Sequence, residues 1–134
     1  MLYFAYGSNL NHFQMKRRCK DSKFIKKFEL KNFRLTFRSR YRAADIERKK
    51  NSIVPGGLFE ISKSDEKKLD VYEDYPILYK KIYFEYYNNK VMTYTMVNKS
   101  EFRYPTERYL NIVKHGYNDC KLDKKYLSKA LLNL

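Results

Sequence analysis

Short apolar runs alternate with polar segments along the whole chain, and the apolar positions recur with two different periods. An alternating pattern is typical of strands that bury one face, whereas apolar residues three and four positions apart are typical of amphipathic helices. The segments with strand character are rich in β-branched and aromatic residues. They are residues 2–5, 24–37 (as one strand or two), 43–46, 58–61, 81–87 and 91–97.

Four segments are predicted to be helices, and three of them begin at a residue that can cap a helix. Ser62 and Asp65 have the spacing of a capping box, and Thr106 and Asp123 precede the last two helices. Gly116 is expected to end the third helix, since glycine is common just after a helix C-terminus. The predicted helices are residues 11–19, 62–73, 106–116 and 123–131.

Prolines, glycines and asparagines mark the predicted turns. Residues 55–57 (Pro-Gly-Gly) are predicted to form a turn, and Asn88-Asn89 to join the last two strands as an antiparallel hairpin. Residues 47–52 are predicted to be a solvated loop, because all of them are polar. This mixture of helices and antiparallel strands predicts an α+β fold with a small mixed, curved or barrel-like sheet and flanking helices.

At 134 residues the chain is predicted to form one domain, residues 1–134. It carries 29 Lys and Arg against 15 Asp and Glu, which gives a net charge of +14. Together with an aromatic content of 17%, that charge could serve a nucleic acid or another polyanion. The basic residues are spread from Lys16 to Lys129, however, and Lys, Asn, Tyr, Phe and Ile all have AT-rich codons. Nucleic-acid binding is therefore the less favoured interpretation.

Several classes of protein are disfavoured by what the sequence lacks. No apolar stretch approaches the ~20 residues of a membrane-spanning helix, and the N-terminus lacks the basic and apolar regions of a secretory signal. Cys19 and Cys120 are the only cysteines. They are too few for a disulfide framework or a zinc cluster. Whether the two form one disulfide with each other is left open by the sequence. We therefore expect a cytoplasmic protein that uses no metal and does not contact a membrane.

The N-terminal segment carries the strongest chemical signal. The apolar run 2–5 breaks at residues 6–9 (Tyr-Gly-Ser-Asn), and a helix is predicted to follow. Gly7 allows backbone angles that other residues avoid, and Ser8 and Asn9 favour turns and helix caps. A junction of strand, loop and helix can point several backbone N–H groups at an anion such as a carboxylate.

The same segment, Tyr3-Phe4-Ala5-Tyr6-Gly7-Ser8-Asn9-Leu10, resembles the opening strand and loop of the γ-glutamylcyclotransferase family. Two further segments match that family in the same order. They are residues 69–73 (Leu-Asp-Val-Tyr-Glu), followed by Pro76 and Tyr79, and residues 105–109 (Pro-Thr-Glu-Arg-Tyr), followed by Gly116, Leu122 and Tyr126. The resemblance covers residues 3–126, and on these three segments the chain is identified as a member of the family.

The resemblance implies a small mixed barrel with flanking helices and a cavity at one end. It also implies an enzyme that converts a γ-glutamyl amino acid or γ-glutamyl amide to 5-oxoproline and a free amine, without a cofactor or metal. Glu73 corresponds to the general acid/base of the family. The residues that correspond to substrate-binding positions are Tyr3, Phe4, Ala5, Tyr6, Gly7, Ser8, Asn9, Tyr79 and Tyr109.

The neighbours of Glu73 in the sequence support this role. By spacing, Glu73 lies at a helix end among Tyr72, Tyr75 and Tyr79. Loss of solvation among aromatic side chains would raise its pKa towards the range useful for proton transfer. Asp74 replaces the glycine that is usual after this glutamate in the family, and its charge is expected to alter the pKa of Glu73. Asp70, in contrast, is expected to have a structural role.

Ser8 is interpreted as a binding-loop residue rather than a nucleophile, because the segment lacks the second glycine of a Gly-x-Ser-x-Gly elbow. The Tyr-Gly-Ser-Asn loop is most similar to family members that act on γ-glutamyl amino acids, or that remove a γ-glutamyl group during antibiotic biosynthesis. Residues 38–50 are unusually basic and are expected to shape the leaving-group side, which would suit an amine with an acidic group. The oligomeric state stays open between monomer and homodimer.

A second interpretation is that the chain has the same pocket but catalyses no reaction. In that case the chain is a binding or regulatory module of the same fold, and it holds a small carboxylate or a polyanion such as a nucleic acid. Release of 5-oxoproline from a γ-glutamyl substrate distinguishes the two interpretations, because only the enzyme produces it.

Overall fold

A five-stranded mixed sheet forms the centre of the fold. The computed structural model describes residues 1–133, so the last residue of the predicted domain lies outside the described part. The strands are β1 (Leu2–Ala5), β2 (Lys23–Arg38), β3 (Ala43–Glu60), β4 (Tyr79–Tyr86) and β5 (Asn89–Met96). The helices are α1 (His12–Arg18), α2 (Lys63–Tyr72), α3 (Glu107–Asp119) and α4 (Lys125–Leu132). The predicted α+β class is confirmed.

The short strand β1 lies in the middle of the sheet, whose order is β2-β3-β1-β5-β4. It pairs antiparallel with β3 and parallel with β5. The edge strands β2 and β4 approach each other through aromatic contacts. The rings of Phe28 and Phe84 stack with centroids 5.6 Å apart, and Tyr86 meets Phe28 edge-on at 5.2 Å. Within residues 1–133 no strand pairing joins β2 to β4, so the sheet is curved but is not a closed barrel.

The long hairpin of β2 and β3 corrects two predictions. Residues 47–52 are largely exposed, as expected, but they are not a loop between strands, and residues 55–57 are not a turn, because both segments lie inside β3. Glu47, for example, pairs with Arg34. Backbone pairing with β2 holds residues 47 and 48, whereas residues 49–52 lie at a register shift opposite Asn32, whose side chain accepts a hydrogen bond from the Asn51 N–H at 3.1 Å. The predicted segment 24–37 is one strand with two register shifts.

Two glycines in β3 are explained by the close approach of other strands. A Cβ on Gly56 would lie 2.3 Å from the backbone oxygen of Ala5 and 2.5 Å from the ring of Phe4. A Cβ on Gly57 would have tighter contacts than usual but no overlap, the nearest being 3.1 Å from the ring of Phe24. The Pro-Gly-Gly string therefore marks the place where β3 lies closest to β1.

The predicted helix starts at Ser62 and Thr106 are confirmed. At the start of α2, Ser62 and Asp65 form both halves of a capping box. At the start of α3, the side chain of Thr106 accepts a hydrogen bond from the backbone N–H of Tyr109 at 3.2 Å. These caps satisfy N–H groups that have no partner inside the helix.

The predicted end of α3 at Gly116 is wrong, since the helix continues to Asp119. Gly116 faces the chain that follows β1, and a Cβ on it would lie 2.5 Å from Cβ of Leu10. The glycine thus lets α3 pack closely against the loop, rather than ending the helix. Across residues 1–133, no helix combines the length and the apolar character needed to cross a membrane.

Cys19 and Cys120 are both buried and both have free thiols. The disulfide that the sequence left open is therefore not formed. Burial raises the pKa of each thiol to about 12, so both groups stay protonated and unreactive near neutral pH.

Gly56→Ala and Gly57→Ala test the packing of β3 as a matched pair. We expect Gly56→Ala to lower the free energy of unfolding by roughly 3 kcal/mol, because its methyl group would overlap backbone that cannot move aside. Gly57→Ala should cost about 1 kcal/mol, since its contacts are with side-chain atoms that can shift slightly. Denaturant unfolding of both variants measures the difference, and equal losses would contradict this account of the two glycines.

Candidate active site

A narrow pocket opens where the chain leaves the C-terminal end of β1. Its volume is about 60 Å³, which is room for roughly four to six water molecules and so for one compact polar group. Glu73 is the one carboxylate among the residues that line it. Within residues 1–133, no group of three His, Cys, Asp or Glu side chains could hold a metal ion. The lining residues are Tyr3, Tyr6, Gly7, Ser8, Asn9, Ala43, Ala44, Tyr72, Glu73, Tyr79, Tyr94 and Tyr109.

Glu73 directly follows α2, and the end of that helix holds its backbone. The Glu73 N–H donates to the carbonyl of Leu69 at 2.8 Å. The side chain is half-buried and lines the pocket, and its carboxyl has no hydrogen bond or ion pair with any residue in 1–133. Burial raises the pKa of Glu73 to about 7, against the opposing positive charge of Arg18. A carboxyl that ionises near neutral pH can both accept and donate a proton.

Asp74 does not cause this shift, which corrects the expectation from the sequence. Its backbone has a φ of +51°, a left-handed conformation that glycine adopts freely and aspartate tolerates. That geometry accounts for the glycine usual at this position in the family. Tyr75 also lies outside the pocket lining. It is 39% exposed and its ring contacts the ammonium group of Lys81, 4.3 Å from the ring centroid.

The loop after β1 forms one wall of the pocket. Gly7 has a φ of −122°, so conformational freedom does not explain the glycine. A Cβ there would lie 3.1 Å from both the Cβ of Ala44 and the hydroxyl of Tyr109, and glycine lets the loop approach them. The backbone N–H groups of Gly7, Ser8 and Asn9 donate to no atom of residues 1–133. No acceptor within residues 1–133 therefore competes with a ligand for these three groups.

Two tyrosine hydroxyls meet at the backbone of Ala44. Tyr109 accepts a hydrogen bond from the Ala44 N–H at 3.0 Å, and Tyr79 donates one to the Ala44 carbonyl at 2.7 Å. The two phenols differ in what they can offer a ligand, because the proton of Tyr79 is already engaged and that of Tyr109 is not. Burial raises the pKa of both hydroxyls, so both stay protonated at neutral pH.

Three further pocket tyrosines are anchored by hydrogen bonds. Tyr6 donates to the carbonyl of Tyr94 at 2.8 Å, and Tyr94 donates to Asp70 at 2.6 Å. The hydroxyl of Tyr3 accepts from the side-chain amide of Asn9 at 3.1 Å. Burial raises the pKa of all three phenols. Asp70 thus has a structural role, as expected.

Phe4 and Ala5, expected among the substrate-binding residues, do not line the pocket. Both are fully buried. Phe4 packs edge-on against Phe28 and Phe84, with ring centroids 5.9 and 5.8 Å away, and Ala5 pairs with Gly57. The two residues instead belong to the core that carries the loop. The structure does bring together the other expected residues, Tyr3, Tyr6, Gly7, Ser8, Asn9, Glu73, Tyr79 and Tyr109.

No signal in the sequence pointed to Arg18 or to the Ala43-Ala44 segment as part of the site. Arg18 ends α1 and donates to Ser8 and Asn9 of the pocket wall. In the sequence it is one of three consecutive basic residues, which gives no sign of an internal contact. Ala43 and Ala44 begin β3 and line the pocket. Their small side chains carry no chemical signal, and the backbone of Ala44 is what contacts the tyrosines.

A buried ionic cluster lies directly after Ala44 in β3. Asp45 is fully buried and accepts a hydrogen bond from Lys99 at 2.7 Å. Arg38, only 3% exposed, lies 3.5 Å from the same carboxylate. Part of the basic segment 38–50 is therefore used inside the fold, where it fixes the strand that carries Ala44.

A family model and a solved structure both point to one family. The model of the family described as gamma-glutamyl cyclotransferase, AIG2-like, matches residues 3–116. The chain is similar to the solved structure of a gamma-glutamyl cyclotransferase, with 25% identity and a TM-score of 0.82 over 97% of this chain and 85% of that one. An uncharacterized protein from Homo sapiens is similar at 25% identity and a TM-score of 0.81, over 96% and 85% of the two chains.

A third solved structure, YkqA from Bacillus subtilis, shares the fold. It has 20% identity and a TM-score of 0.77, and the match covers 100% of this chain and 55% of YkqA. No curated protein sequence matches the chain.

Proposed function

Because the chain belongs to the gamma-glutamyl cyclotransferase, AIG2-like family, we propose that it converts a γ-glutamyl amino acid or related amide to 5-oxoproline and the free amine. We assign this activity to a single domain of residues 1–134. The observation that carries the proposal is the carboxyl of Glu73. It is half-buried among tyrosines, it has no partner in residues 1–133, and its pKa is raised to about 7.

The reaction needs no nucleophile from the protein, because the substrate carries one. The α-amine of the glutamyl group attacks its own γ-carbonyl carbon. A new C–N bond closes the five-membered ring, and the C–N bond to the leaving amine breaks. The attacking nitrogen loses one proton and the leaving nitrogen gains one, so the atoms balance without water. Glu73 carries that proton, first as a carboxylate base and then as a carboxylic acid.

The loop after β1 would hold the α-carboxylate of the glutamyl group. Gly7, Ser8 and Asn9 have free backbone N–H groups, which suit a carboxylate. Tyr3, Tyr6 and Tyr79 would form the walls that keep the substrate folded, with its amine near its γ-carbonyl. Orientation of this kind lowers the barrier by several kcal/mol, on the order of intramolecular reactions.

The negative charge that develops on the γ-carbonyl oxygen needs a hydrogen-bond donor. The hydroxyl of Tyr109 is one source, because its oxygen accepts from Ala44 and its proton is uncommitted. A backbone N–H group of the loop after β1 is the other. Both lie on the pocket wall, so the donor would be in place before the charge forms.

Glu73→Gln tests the proposal, with Asp74→Asn as the matched control. We expect the wild-type protein to release 5-oxoproline from a panel of γ-glutamyl amides, in which the leaving groups are neutral and acidic amino acids and simple amines. Glu73→Gln should lose roughly 10²–10⁴-fold in kcat/KM, because glutamine cannot carry a proton. Asp74→Asn should stay near wild type, since asparagine also tolerates a positive φ. Chromatographic detection of 5-oxoproline measures the rates.

The pH dependence gives a second readout of the same experiment. Wild-type kcat/KM should fall as the pH drops through about 7, because the base form of Glu73 is then lost. Unchanged release by folded Glu73→Gln would refute the assignment of Glu73. A folded wild-type protein that binds glutamate or 5-oxoproline but turns over no member of the panel would support the binding module instead.

Tyr109→Phe and Tyr79→Phe test which hydroxyl acts on the substrate. Each variant removes one hydroxyl that is bonded to the backbone of Ala44. We expect Tyr109→Phe to lose roughly 10²-fold in kcat/KM, because a donor to the substrate disappears. Tyr79→Phe should lose about tenfold or less, since the proton of Tyr79 already points to the protein. The assignment fails if the two losses are equal or reversed.

A further inference from the structure

Arg18 lies behind the pocket wall, where three separate parts of the chain meet. Its Nη1 donates to Oγ of Ser8 at 3.1 Å and to Oδ1 of Asn9 at 2.5 Å. Its guanidinium carbon lies 3.3 Å from the centroid of the Tyr72 ring. One side chain therefore joins the end of α1 to the loop after β1 and to the end of α2, next to Glu73.

The helix presents Arg18 from a fixed position. Met15 and Cys19, on either side of Arg18 in the sequence, are buried with 1% and 0% exposure. At the other end of α1, the side chain of Asn11 accepts a hydrogen bond from the N–H of Gln14 at 3.0 Å. Since α1 is held at both ends, the planar guanidinium meets its partners without a large loss of conformational freedom.

The contacts of Arg18 continue into the pocket through its partners. Oγ of Ser8 lies 3.3 Å from the hydroxyl of Tyr72, and the amide of Asn9 donates to Tyr3 at 3.1 Å. All four of these residues line the pocket. Without the guanidinium, Ser8 and Tyr72 would keep only their direct contact, and Asn9 would lose its link to both.

The positive charge of Arg18 also acts on the carboxyl of Glu73 in the pocket. Its charge lowers the pKa of Glu73, against the larger effect of burial, and it lowers the pKa of Tyr3 and Tyr109 in the same way. Of the nearby carboxylates, Asp70 binds Lys81 and Tyr94. The other ionisable groups of the pocket are the phenols of Tyr3, Tyr6, Tyr72, Tyr79, Tyr94 and Tyr109.

We propose that Arg18 is a positioning residue of the active site, which holds Ser8 and Asn9 through Nη1, stacks its planar group on Tyr72 and acts on Glu73 through its charge. The first role, in the wall, sets how tightly the glutamyl group is held. The second, through the charge, lowers the pH range in which Glu73 takes up a proton, against the larger effect of burial. The catalytic consequences rest on the proposed function, but both roles of Arg18 can be tested without it.

Arg18→Met and Arg18→Lys separate the two roles, and Arg17→Met is the matched control because Arg17 is exposed on the same helix. Carbon NMR of the Glu73 carboxyl, assigned with Glu73→Gln, follows its ionisation in the free protein. We expect Arg18→Met to raise the midpoint by about one pH unit, because the stabilising charge is lost. Arg18→Lys and Arg17→Met should leave the midpoint within a few tenths of a unit of wild type.

Hydrogen exchange of the Leu10 and Asn11 amides reports on the stability of the pocket wall. These amides donate to the carbonyls of Gly7 and Ser8 at 3.1 Å in the turn after β1. Both Arg18 variants should speed this exchange several-fold, whereas Arg17→Met should not. Arg18→Lys should also raise KM several-fold with a smaller change in kcat, because a lysine ammonium can donate to Ser8 and Asn9 but has no planar group to stack on the Tyr72 ring.

The outcomes are separable. An unchanged Glu73 midpoint in Arg18→Met overturns the role of the charge. Unchanged exchange in Arg18→Met overturns the role of Arg18 in the wall, and unchanged exchange in Arg18→Lys overturns the role of its planar group. A wild-type protein without cyclotransferase activity contradicts the proposed function, while the midpoint and the exchange still decide on Arg18. If Arg18→Met does not unfold cooperatively, Arg18→Gln takes its place for the midpoint.

Discussion

The site depends on one unfavourable interaction, the burial of the Glu73 carboxyl without a partner in residues 1–133. Loss of hydration disfavours the carboxylate and raises its pKa from 4.5 to about 7. The folded state therefore binds this proton more tightly than the unfolded chain does. Between about pH 4.5 and 7 a rise in pH weakens the fold through this group. An ion pair would remove that cost, but it would also hold the carboxyl in its charged form.

The surrounding residues keep the carboxyl half-buried without neutralising it. Tyrosines provide half of the lining residues. Arg18, the cation that acts on Glu73, is engaged with Ser8 and Asn9 behind the wall. On the opposite side, two tyrosine hydroxyls are bonded to the backbone of Ala44, and the buried Asp45 holds the strand that follows. These contacts hold the walls of the pocket in which Glu73 is buried.

Local signals in the sequence predict much of the fold, because helix caps and turns depend on residues close together in the chain. The capping box at Ser62 is an example. Gly56 does not form the predicted turn and Gly116 does not form the predicted helix end. Each glycine is required by a close approach to a distant part of the chain, which no local pattern reveals. Glu73 could be singled out through the family resemblance, since an isolated glutamate carries no sign of burial. Arg18 was missed because its partners lie on other elements of the structure.

The free energy of unfolding of wild type and Glu73→Gln, measured against pH, tests the burial of this carboxyl most directly. Glutamine resembles the protonated acid and cannot ionise, so all other groups contribute equally to both proteins. The account predicts that Glu73→Gln becomes the more stable protein as the pH rises from about 4.5 to 7. The gap should reach roughly 2 kcal/mol and stay constant above that, after allowance for the part of the carboxyl that meets solvent. A difference that does not change with pH would contradict a raised pKa at Glu73, and with it the central claim.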